Sequence, residues 1–188
     1  MMTDGSAAPT IGISALVLDS IDYVWSTLRA RFDGLTQQEY LWEPVPGCWS
    51  VRETDGVVAV ERVGPDPEPA PVTTIAWRIW HLASECFADY TSQGFGVHPL
   101  SVRDRQWFLG VDEAMPALDT AWTALRGKLG ELGDIGMTAE LGEAWGPYAR
   151  DPWASLVLHA QDELSHHGAE IALLRDLHAH RAGGTLHA

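Results

Sequence analysis

The sequence predicts an all-α fold, a four-helix bundle with crossover connections. Four long segments repeat their apolar residues at spacings of three and four, the signature of helices with one buried face. The connections after the first and second segments are too long for a simple up-down bundle. One short stretch in the first long loop reads as a small hairpin, and no other part of the chain alternates like a strand.

The first helix is carried by Ile13, Leu16, Val17, Ile21, Val24, Trp25, Leu28 and Phe32, and Gly34 closes it in the usual position beyond a helix C-terminus. Thr36-Gln37-Gln38-Glu39 has the form of a capping box, which announces a short helix that Pro44 and Pro46 end. Asp55-Gly56, between runs ending at Arg52 and beginning at Val57, predicts the hairpin turn. The proline-rich stretch from Gly64 to Pro71 is an extended connection.

Thr73 or Thr74 caps the second long helix, which should end near Gly94. A connector over residues 95–110 leads to a third helix, from about Asp112 to Leu132, in which Pro116 is tolerated only within the first turn. A Gly-rich segment, Gly133 to Arg150, precedes the fourth helix, which Asp151-Pro152 starts and which runs to about His180. The chain reads as one domain over residues 11–181, between a disordered tail at 1–10 and a second tail at 182–188.

Composition narrows the function classes. The 188 residues carry a formal charge of −14, with 26 acidic against 12 basic residues. With no basic cluster to neutralise phosphates, neither nucleic acid nor an anionic membrane is an expected partner. No apolar run approaches a membrane span and the start has no signal-peptide pattern, so a cytoplasmic protein is expected. The two cysteines, Cys48 and Cys86, have no Cys-x-x-Cys spacing, which argues against a disulfide framework or a thiolate zinc site. Cys86 reads as a small core residue. The tryptophans and the largely apolar second helix lead to the expectation of a homodimer.

The informative chemistry lies on the fourth helix. Trp153, Leu156, Ala160, Glu163, His167, Ile171, Leu174 and Leu177 form its core-facing stripe, so a carboxylate and an imidazole four residues apart interrupt an apolar surface. A buried carboxylate costs several kcal/mol unless paired or coordinated. A divalent metal is one compensation and a Glu–His ion pair is the other. On the second helix, His81 shares an inner face with Trp77, Trp80, Ser84 and Phe87, while Arg78, Glu85 and Asp89 fill a narrow polar edge on which Glu85 should be solvated. His81 is therefore the candidate third ligand beside Glu163 and His167. Asp162 and His166, also four apart, are a rival pair, but they lie about 100° around the helix from the stripe. His159, His178 and His180 read as surface residues, and Glu170 as either a group orienting an imidazole or a partner for an arginine. Trp42, Trp49, Trp77, Trp145 and Trp153 could wall a pocket.

Three stretches, Trp42-Glu43-Pro44 with Cys48-Trp49-Ser50-Val51, then Ile75 to Leu82, and finally Glu163 to Leu177, together resemble the DinB-like superfamily, particularly its actinobacterial branch. The resemblance spans roughly residues 11 to 180 and implies an up-up-down-down bundle. It also implies a metal held by a His on the second helix and an i, i+4 pair on the fourth. Many members have His at both positions of the pair, whereas this chain has Glu163 at the first. That pattern is similar to the mycothiol-dependent maleylpyruvate isomerase branch, with its two His and one Glu. By this carry-over the ligands are His81, Glu163 and His167, the trio that the helical wheel also brings together.

Two imidazoles and one carboxylate suit zinc, nickel or iron(II), zinc first, and three protein ligands leave a position open for water or substrate. The expected function is that of a metal-dependent enzyme. The resemblance suggests a thiol S-transferase or isomerase that uses a low-molecular-weight thiol such as mycothiol. A metal-dependent hydrolase and a non-catalytic metal-binding or scaffold protein are the alternatives.

Overall fold

Residues 11–65, 67–101 and 106–183 are described in the computed structural model, and helices dominate them, at 64% of the chain. The elements in order are α1 (Ile13–Arg31), α2 (Gln37–Tyr40), the strands β1 (Val51–Thr54) and β2 (Val57–Val60), α3 (Ile75–Trp80), a π-helical segment (His81–Ala88), α4 (Asp89–Phe95), α5 (Val111–Glu131), α6 (Gly133–Thr138), a 3₁₀ helix (Glu143–Tyr148) and α7 (Trp153–Gly183). The predicted tails at 1–10 and beyond 183, and part of the 95–110 connector, lie outside the described residues.

The capping box forms in full: Thr36 accepts from the Glu39 amide and Glu39 reaches back to the Thr36 amide at 2.9 Å. Glu39 also accepts from Arg175 Nε of α7 at 3.0 Å, which ties the short helix to the fourth long one. Asp55 and Gly56 both take positive φ, at 53° and 77°, as a tight hairpin turn requires, and they pair Thr54 with Val57 and Val51 with Val60.

α1 packs along α7, and α5 packs against α3 and the π segment. The core joins Ile21 and Leu28 of α1, Ile79, Leu82 and Phe87 of the second helix, Leu118, Ala121 and Leu125 of α5, and Val157, Leu164 and Ile171 of α7. At its centre Trp25 stacks on Trp122, with ring centroids 4.6 Å apart, and Phe87 meets both edge-on. The predicted stripe of α7 is buried from Trp153 to Leu174 apart from the half-buried Glu163, and Leu177 is exposed. The apolar second helix, which prompted the expectation of a homodimer, lies inside the chain's own core.

One element differs from the sequence reading. Pro116 sits in the second turn of α5 rather than the first, where its missing N–H removes the bond to the Asp112 carbonyl. In the Gly-rich segment Gly133, Gly142 and Gly146 take positive φ at 60°, 95° and 55°, and the segment forms α6 and the 3₁₀ helix. Among the described residues no helix is long and apolar enough to cross a membrane.

Candidate metal centre

The second long helix starts where Thr74 caps α3, its hydroxyl accepting from the Trp77 amide at 3.3 Å and meeting Ser50 Oγ at 3.0 Å. From His81 to Ala88 the helix widens into π geometry. A π turn aligns residues five apart, where an α turn aligns residues three and four apart. Cys86 thereby comes beneath His81, with its Sγ 3.8 Å from Nε2, and Glu85 Oε2 accepts from His81 Nδ1 at 2.7 Å. Trp77 stacks flat on the imidazole, with centroids 5.4 Å apart and planes within 12°.

Glu163 and His167 project from α7 toward this ring. One carboxylate oxygen, Glu163 Oε2, lies 3.1 Å from His81 Nε2 and 3.0 Å from His167 Nε2. The two imidazoles meet edge-on with centroids 4.6 Å apart. His167 is buried, while His81 and Glu163 are each about one-fifth exposed at the side chain. The other oxygen, Glu163 Oε1, lies 3.6 Å from His159 Nε2.

Both Nδ1 atoms are committed elsewhere. Glu170 Oε2 lies 2.8 Å from His167 Nδ1 and accepts from Arg78 Nη1 at 3.0 Å, and the same Nη1 stands 3.0 Å from His167 Nδ1. Glu85 is paired with Arg62 as well as with His81. Three carboxylates, Glu85, Glu163 and Glu170, thus face two guanidiniums, Arg62 and Arg78, and the balance with neutral imidazoles is one negative charge. Burial alone pushes each of these carboxyls up. For Glu163 the His81 hydrogen bond and the charges of His81 and His167 outweigh burial and leave it below its ordinary value, and Glu85 and Glu170 are lowered in the same way by their own His and Arg partners. The Arg78 guanidinium is lowered by burial, against the opposing pull of Glu170 and Glu163. The Cys86 thiol is raised by burial and by the Glu163 charge.

Two sets of three donors stand with one atom of each within 4.8 Å of the others: His81, Cys86 and Glu163, and His166, His167 and Glu170. The predicted trio is divided between these sets and joined by Glu163 Oε2. His166 and Asp162 of the rival pair face outward, His166 with 64% of its side chain exposed, 3.4 Å from Glu170 Oε1 and stacked on the His167 ring. Glu170 fills both of its predicted roles, imidazole partner and arginine partner.

One reading of the polar edge is overturned. Glu85 is not left to solvent: it turns inward to His81 and pairs with Arg62, while Arg78 turns to Glu170, because the cluster's own charges compensate them. Cys86 is the buried core residue the sequence suggests, and the π turn also brings its thiol to the cluster. Glu85 was visible as the i+4 neighbour of His81, whereas no periodic signal marks a π turn.

No curated protein and no solved structure matches this chain. The sequence model of the DinB superfamily matches residues 20–171, a span from α1 to α7 that contains His81, Glu163 and His167, and the chain belongs to that superfamily.

Proposed function

We propose that His81, Glu163 and His167 hold one divalent metal ion, zinc first, and that the protein is a metal-dependent enzyme of the thiol S-transferase or isomerase type, using a low-molecular-weight thiol such as mycothiol. The observation that carries the metal reading is the convergence of two Nε2 atoms on Glu163 Oε2 at 3.1 and 3.0 Å while each Nδ1 faces a carboxylate. With Nδ1–H donating outward, each neutral ring turns its Nε2 lone pair toward a carboxylate oxygen. Three electron-rich atoms so placed repel one another unless positive charge, a metal ion or a second ring proton, lies among them. Carboxylate-to-Nδ1 bonds are also the usual support of a metal-bound imidazole.

The donor set of two nitrogens and one oxygen fits zinc, nickel or iron(II). When bound, the metal supplies a Lewis acid that brings a coordinated water or thiol toward neutral pKa. The chain's residues do the rest. Glu85 and Glu170 fix the imidazole tautomers, Trp77 holds the His81 ring in plane, and Arg62 and Arg78 limit the negative charge to one unit. The thiol-transfer class rests on superfamily membership, not on these residues. Its test is metal analysis of the purified protein followed by transfer of a low-molecular-weight thiol to an electrophile, with and without zinc. Zinc-dependent transfer abolished by chelation is the expected result. Ester hydrolysis without thiol transfer favours a hydrolase instead.

One observation favours a non-catalytic reading: Cys86 Sγ stands with His81 and Glu163 within 4.8 Å, and a fourth protein donor would close the coordination sphere. Cobalt substitution separates the two. An open two-His, one-carboxylate site shows no thiolate-to-cobalt charge-transfer band, whereas a closed site with Cys86 shows one that Cys86→Ala removes.

A further inference from the structure

A cavity of about 700 Å³ opens between α4, the 3₁₀ helix and the first turns of α7. Tyr90, Trp145 and Tyr148 form aromatic walls, Leu156 lines the apolar side, and Asp151 and His159 supply the ionisable groups. The Tyr90 ring lies 6.0 Å from both the Trp145 and the His159 rings. His159 stands between the cavity and the candidate metal centre, with its Nε2 3.6 Å from Glu163 Oε1.

Size and charge select the ligand class. The volume is that of a small-molecule pocket, and the walls are mostly apolar, with rings from Tyr90, Trp145 and Tyr148. Among the described residues no Lys or Arg lines the cavity. Asp151 is exposed and no cation pairs with its carboxylate among the described residues, since the adjacent Arg150 turns to Glu140 at 3.4 Å. Burial, with the charge of Glu163 adding to it, holds the Tyr90 phenol above its ordinary value, so that wall is a neutral ring at physiological pH. An anion entering here meets the Asp151 carboxylate. A cation meets a carboxylate together with the negative faces of aromatic rings, and the net charge of −14 attracts it.

We propose that this cavity binds an aromatic ammonium compound, with the ring against Trp145 and Tyr90 and the positive charge toward Asp151. Binding is a property of the cavity and stands whether or not the neighbouring donors hold a metal.

Calorimetric titration of the whole protein, with a chelator present to remove any metal, tests this with three probes of one shape: benzyltrimethylammonium, benzyl alcohol and benzoate. The cation should bind saturably and at least about tenfold tighter than the alcohol, and benzoate should show no binding. Asp151→Asn should weaken the cation about fivefold or more while leaving the alcohol unchanged, and Trp145→Ala should weaken both. The proposal is overturned by a cation that binds no tighter than the alcohol, by benzoate binding as well as the cation, or by an Asp151→Asn variant that melts like the parent and keeps its affinity for the cation. Each of these outcomes leaves the metal reading untouched, and failure of the metal reading leaves them untouched.

Discussion

Glu85 accepts the Nδ1–H of His81 at 2.7 Å across one widened helical turn, and this bond aims the other ring nitrogen at Glu163. Such a bond to a ring nitrogen away from the metal fixes the tautomer and makes the ligating nitrogen more basic. Replacing Glu85 by Ala should lower zinc affinity about 10–100-fold without emptying the site at saturating zinc. Competition with a chromophoric chelator reads the change, and an unaltered affinity would remove Glu85 from the account.

Glu39 predicts a pH-dependent stability. Burial raises its carboxyl, but the Thr36 backbone bond and the Arg175 bond outweigh burial and hold it below its ordinary value. A carboxyl lowered in the folded state contributes stability above its unfolded pKa, and loses that contribution as pH falls through the folded value. Glu39→Ala should therefore cost about 0.5–2 kcal/mol at neutral pH, and the gap between variant and parent should close as the pH drops below about 4. Urea unfolding at pH 7 and at pH 3 checks this. A gap that does not depend on pH would show that the carboxylate charge contributes nothing.

Two glycines separate steric need from helix propensity. A Cβ at Gly94 would lie 2.3 Å from Trp153 Cη2, the rigid edge of a buried ring, whereas at Gly168 it would lie 3.1 Å from the flexible end of Leu28. Ala gains about 1 kcal/mol over Gly in a helix interior. Gly94→Ala should still lose about 1–3 kcal/mol through overpacking, and Gly168→Ala should change stability by less than about 1 kcal/mol. Thermal melts of the two variants would contradict this if their order were reversed.

Much of the fold was legible because local chemistry and the final structure agree. The Thr36 and Glu39 box, the Asp55-Gly56 turn and the stripe from Trp153 to Leu174 all need only near neighbours. His81, Glu163 and His167 were legible as inward-facing residues for the same reason. What surrounds them was not. A wheel of about 100° per residue assumes α geometry, so it could not place Cys86 under His81 through a π turn. Arg62 reaches Glu85 from a connection far back in the chain, and Arg78 reaches Glu170 across two helices. With those partners unknown, Glu85 had to be read as solvated.

Tyr40 tests the junction of α2 with the connector that follows α4. Its hydroxyl donates to the Phe108 carbonyl at 2.9 Å and accepts from Trp107 Nε1 at 3.0 Å, in a fully buried position. Tyr40→Phe strands both partners and should cost about 1–3 kcal/mol by chemical denaturation. A neutral substitution would mean that water or a shifted backbone satisfies them.

Zinc titration of the parent protein and four single variants tests the central claim most directly. The account predicts one zinc per chain for the parent, most of the binding lost in His81→Ala, Glu163→Ala and His167→Ala, and little change in His166→Ala, whose side chain is 64% exposed. A His166→Ala variant that no longer binds zinc, beside a His167→Ala variant that still does, would contradict it.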